Sequence, residues 1–163
     1  MSRKWRIVLG VLVVIVVFCF WYTRPRSLDE LAGEGKITDI SLLTQVTGLR
    51  DDGKAFIDTW KVDSHEDRGH VNSGLEEIFK SCQYRVSLRS LFPFPSHGKI
   101  HGEADAPVLL VAAAIDHEPG FNAICRGTVI EFTIGGRTML AQAEDEEIGE
   151  KLLAYTQEFG WKT

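Results

Sequence analysis

The sequence predicts an α+β fold: a mainly antiparallel sheet of five to six strands with two helices on one face, preceded by an N-terminal transmembrane helix. Three observations carry this reading. Residues 7–22 form an uncharged run, IVLGVLVVIVVFCFWY. Several later segments alternate apolar and polar residues with the period of a half-buried strand. Two others repeat apolar residues at intervals of three and four, as helices do. In chain order the elements after the first helix read β-β-α-β-β-β-β-α.

The hydrophobic run approaches the roughly 20 residues that span a hydrocarbon core. Trp5, Trp21 and Tyr22 lengthen it with rings suited to the membrane interface, and Lys4 and Arg6 can reach toward headgroups. Its exit, Phe20-Trp21-Tyr22-Thr23-Arg24-Pro25, lacks the small residues that signal peptidase needs. Cys19 follows the bulky Phe18, which argues against a lipoprotein site. An uncleaved anchor over residues 1–22 is therefore expected, with the membrane as the partner of residues 7–22. Arg3, Lys4 and Arg6 outweigh Arg24 and Arg26, which places the N-terminus in the cytoplasm and the domain outside a single-pass cell membrane. Residues 23–36 read as a linker, stopped from continuing the helix by Pro25 and loosened by Gly33 and Gly35.

A single extracytoplasmic domain is expected over residues 37–163. In residues 37–46, Ile40, Leu42 and Val46 fall on one side of a strand and Asp39, Ser41 and Gln45 on the other. Asp51-Asp52-Gly53 supplies a turn, and residues 55–62 return with Phe56, Trp60 and Val62 on one face. Val71, Leu75, Ile78, Phe79 and Cys82 then mark an amphipathic helix. Residues 84–88 resume the strand pattern, with Tyr84, Val86 and Leu88 inward and Arg85 and Arg89 outward. Residues 91–107, with three prolines, read as a long loop. The continuous apolar run at 108–115 suits a strand covered on both faces. Residues 123–134 alternate as one strand, Gly135-Gly136 marks a hairpin, and residues 137–141 form its partner. Asp145 caps a closing helix whose stripe is Ile148, Leu152, Tyr155 and Phe159.

This order resembles the small membrane- or lipid-anchored extracytoplasmic domains of uncharacterised function found in Gram-positive bacteria. The resemblance covers most of the chain, lies in element order, and implies no activity, cofactor or site residue.

Composition limits the chemistry. The net charge is −5, and five basic residues flank the apolar run, so the rest of the chain is more acidic than the whole. Nucleic acid, which demands clustered Lys and Arg, is not expected as a partner. No nucleophile elbow, phosphate loop, dinucleotide fingerprint or zinc motif is present. His65 with His70, near Glu66 and Asp67, and His97 with His101 have no zinc spacing, and Ser64-His65 and Ser96-His97 are neighbours in sequence only. No catalytic, metal or cofactor-binding residue is assigned, and no cofactor is expected. Cys82 and Cys125 are the candidate disulfide. Arg85, Arg89, Phe92 and Phe94 are the candidate partner-binding residues, since arginine and aromatics are enriched at interfaces. The expectation is a non-catalytic cell-envelope protein whose anchored domain binds a protein or cell-wall partner. The alternative is an envelope hydrolase or metal-dependent enzyme using the loop histidines.

Overall fold

The computed structural model describes residues 3–49, 54–65, 68–91 and 106–163. The apolar run forms helix α1, Arg3–Tyr22. The 19 residues Lys4–Tyr22 have a mean hydropathy of 2.3, and none of that stretch is buried against the domain. This helix is long and apolar enough to cross a membrane.

The segment after it is not a plain connector. Pro25–Arg26 form a short strand, β1, and Leu28–Ala32 form helix α2. The Ser27 hydroxyl caps α2 by accepting the Glu30 N–H at 3.2 Å. Gly33 ends it in the left-handed region, at φ 97°. Leu28 is in the core. The turn residues that suggested looseness instead serve to dock one leucine.

The remaining strands are β2 (Ile37–Leu49), β3 (Ala55–Ser64), β4 (Tyr84–Val86), β5 (Val108–Ile115), β6 (Glu118–Arg126), β7 (Val129–Ile134), β8 (Arg137–Ala143) and β9 (Trp161–Lys162). They make one sheet in the order β1-β4-β8-β7-β6-β5-β2-β3-β9, with every pair antiparallel. Among the described residues, nine strands replace the five to six expected. The segment 123–134 is two strands, broken where Gly127 takes φ 58°. The two-residue edges β1 and β9 are too short to leave a periodic signature. The expected strand 84–88 stops at Val86, after which Leu88–Leu91 form a 3-10 turn. The Asp51-Asp52-Gly53 turn lies outside the described residues.

Helices α3 (Gly69–Ser81) and α4 (Ile148–Phe159) pack on one face, as the two stripes predict. Val71, Leu75 and Phe79 meet Ile148, Leu152 and the inward residues of the sheet in one core. Phe79, Tyr84, Phe121 and Phe132 stack edge to face, with ring centroids 5.1–6.4 Å apart. Two buried hydroxyls lock elements together: Tyr84 Oη donates to Phe79 O at 2.8 Å, and Tyr155 Oη to Val71 O at 2.8 Å. Burial pushes both phenols well above their ordinary range. Asp145 Oδ1 accepts the Glu147 N–H at 3.0 Å, bracing the turn that enters α4.

The opposite face differs from expectation at β5. Leu109 and Val111 are buried, but Leu110 is 38% exposed and Ala112 is also exposed. Among the described residues, no helix covers that side. The run is apolar throughout because Leu110 pairs with Leu43 and Ile124 on the open face and Ala112 is merely small, not because a second layer covers them.

Candidate functional site

The register fixes what the open face presents. One row across the strands reads Lys61, Leu43, Leu110, Ile124, Glu131 and Leu140. The adjacent row reads Asp63, Ser41, Ala112, Asn122, Thr133 and Thr138. Cross-strand neighbours stand about 4.5–5.5 Å apart, so each row is a continuous strip. The first is largely apolar, with charged residues interspersed, and the second is small and polar.

Where the polar strip meets the base of the β2–β3 hairpin, a groove of about 570 Å³ opens, lined by Asp39, Ser41, Asp63, His65, Asn122 and Thr133 among others. Asp39 lies opposite His65 across the hairpin, and Oδ1 meets Nδ1 at 2.9 Å. His117 approaches from the β5–β6 turn, with Nδ1 at 3.9 Å from Asp39 Oδ2. That turn is fixed: Asp116 and His117 both have positive φ, 48° and 67°, as a tight hairpin requires. Lys36 N–H donates to Asp116 Oδ1 at 3.0 Å, and His117 N–H to Thr38 Oγ1 at 3.0 Å. Asp63 accepts from Ser41 Oγ at 2.8 Å and pairs with Lys61 at 2.5 Å.

These contacts decide the chemistry. The His65 hydrogen bond holds the Asp39 carboxyl below its ordinary value, and the Lys61 hydrogen bond does the same for Asp63. Both are anions at neutral pH, so neither is poised as a general acid. The Ser41 hydroxyl is directed at Asp63 and not at an imidazole, so the serine lacks the base contact that a nucleophile requires. His65 is 80% exposed at its side chain. Among the described residues, no group of three or more His, Cys, Asp or Glu is arranged to hold a metal ion. The groove is equipped to recognise polar groups by hydrogen bonds.

The residues singled out from sequence do not form one cluster. Arg85 points from β4 onto the open face, where Nη2 and Nε meet Glu144 Oε1 at 2.8 and 2.9 Å. Arg89 is exposed on the 3-10 turn, so it does not share a strand with Arg85. Phe92, Phe94, His97, His101, Glu66 and Asp67 lie outside the described residues. His70 packs its ring edge on Phe159, with centroids 6.1 Å apart. Cys82 and Cys125 are both buried free thiols, so the candidate disulfide is not made. Cys82 Sγ engages Gln83 O at 3.2 Å, and burial pushes the Cys125 thiol up to about 12, which makes it unreactive.

Asp39, Asp63 and His117 were missed by sequence reasoning. The available signal was the hairpin register: once Ile40 faces Ser64, Asp39 must face His65 and Ser41 must face Asp63. No protein-family model, curated protein or solved structure matches this chain.

Proposed function

We propose that the protein is a single-pass, membrane-anchored, non-catalytic envelope component that displays the open face of its sheet to a protein or cell-wall partner outside the cell. The observation that carries this reading is α1, an apolar helix of which no part is buried by the domain. A core helix would bury its side chains, whereas this one leaves Ile7, Val14, Val17 and Phe20 each more than half exposed. Arg3, Lys4 and Arg6, in the first turn of α1, support an N-terminus on the cytoplasmic side. The two adjacent strips, one apolar and one polar, have the mixed character of a recognition surface.

The test is site-specific photo-crosslinking in intact cells. A photoreactive residue replacing Asn122, exposed on the open face, is expected to give a discrete protein adduct or one released by muramidase digestion. The same residue replacing Gln157, exposed on α4, is expected to give none. Equal labelling from both positions, or none from Asn122, would reject the open face as the binding surface.

A further inference from the structure

We infer that the rim of the domain around the exit of α1 seats on an anionic lipid surface, through Arg89, Arg137 and Arg24 with Leu88 and Leu91. This inference rests on the anchored reading above and concerns how the domain is held, not what it displays.

The sheet register places this rim. Pro25 pairs with Arg85, and Val86 with Ala141, so Thr23 stands level with Ser87 and Leu140. Strand β8 extends three residues beyond that level to Arg137, roughly 10 Å at the rise of a strand. Only Thr23 and Arg24 separate α1 from β1. The junction is also braced: Thr23 N–H donates to Cys19 O at 3.0 Å, and the Arg26 guanidinium lies over the Trp21 and Tyr22 rings at 5.3 and 5.6 Å. A helix that crosses a bilayer and is coupled this closely brings the neighbouring rim to the headgroups.

The chemistry of the rim fits that location. Arg24, Arg89 and Arg137 are exposed, and Leu91, two residues after Arg89, is 44% exposed. Arg24 pairs with Glu30 at 3.4 Å, and the Arg85 guanidinium is engaged by Glu144, so Arg89 and Arg137 carry most of the attraction. The turn that presents Arg89 and Leu91 is preformed. Ser87 N–H donates to Leu140 O at 2.8 Å, and Leu140 N–H donates to Ser90 Oγ at 2.8 Å. A groove of about 490 Å³ lined by Thr23, Ser87, Leu88 and Leu140 opens beside it. Exposed arginines around an exposed leucine and a half-buried one are the combination that attracts anionic headgroups and tolerates the acyl boundary.

The full chain, reconstituted in vesicles of phosphatidylcholine with or without phosphatidylglycerol, provides the test by hydrogen exchange. The amides of residues 88–91 and 135–138 are expected to exchange more slowly in the anionic vesicles. The expected factor is about fivefold or more, the effect of roughly one arginine at such a surface. High salt and the double variant R89Q/R137Q should both abolish the difference, while exchange in α3 and α4 stays unchanged. Equal exchange in the two lipids, with α1 still resisting alkaline extraction, would overturn this inference and leave the anchor intact. Release of the chain by alkaline extraction would overturn the anchor and this inference together.

Discussion

The two faces of the sheet are built from the same strands, yet they follow different rules. On β2, Ile40, Leu42 and Thr44 turn toward the helices and are almost wholly buried, while Asp39, Ser41 and Leu43 turn the other way and remain accessible. The covered face contains interlocking aromatic rings and paired hydroxyls, where each atom has little freedom to move. The open face carries single-layer side chains and exposed ion pairs. The contrast separates residues that hold the fold from residues that remain accessible to solvent.

The largest expected effect tests that separation directly. Phe132→Ala, at the centre of the aromatic cluster, should lower the unfolding free energy by about 3–5 kcal/mol in a urea titration. Leu110→Ala on the open face should cost under about 1 kcal/mol. A comparable loss at Leu110 would mean that another layer covers the open side.

The hydroxyl pair refines the picture of the covered face. Thr44 Oγ1 donates to Thr156 Oγ1 at 3.1 Å, and Thr156 Oγ1 donates to Leu152 O at 2.7 Å, all buried. Thr156→Val strands the Thr44 hydroxyl and should cost about 1–3 kcal/mol. The double replacement T44V/T156V should recover much of that loss in a thermodynamic cycle.

Smaller effects belong to the surface. The Lys151 hydrogen bond holds the Asp145 carboxyl below its ordinary value of 3.8, with the Glu147 N–H adding to the effect. Because the folded value is depressed, the stability it contributes is present above about pH 4 and is lost as pH falls through the folded value. Asp145→Asn should therefore be less stable than the parent at neutral pH by under about 1 kcal/mol, and the gap should close in acid. Thermal melts across that range measure it. Glu144→Gln, which weakens the exposed Arg85 pair, should change stability by at most a few tenths of a kcal/mol.

The contrast between faces also explains what could be read from the chain. Helices α3 and α4 and most of the long strands were legible because their burial alternates with the period of the element. Val71, Leu75 and Phe79, or Ile148, Leu152 and Tyr155, recur at helical spacing and do face the core. The short strands β1 and β9 were invisible because a two-residue pairing has no period. Gly127 marks a break that the chain does signal: the inward positions change phase there, from Phe121, Ala123 and Cys125 to Ile130 and Phe132. The groove was hardest to read: Asp39, His65 and His117 lie on three separate elements, and only the register and the tight Asp116-His117 turn bring them together. Arg85 was correctly read as outward, but no local rule reveals its partner Glu144, which is 59 residues away in the chain.

Whether α1 holds the domain on the outer side of a membrane, as proposed, is decided by cysteine accessibility. Cys82 and Cys125 are 2% and 0% exposed, so they should not label in the folded protein, and with the half-buried Cys19 replaced by serine a cysteine in place of the exposed Glu158 gives a clean signal. The account predicts that the variant stays in the membrane fraction at alkaline pH and reacts with an impermeant maleimide on intact cells. Extraction by alkali, or labelling of position 158 only after lysis, would contradict it.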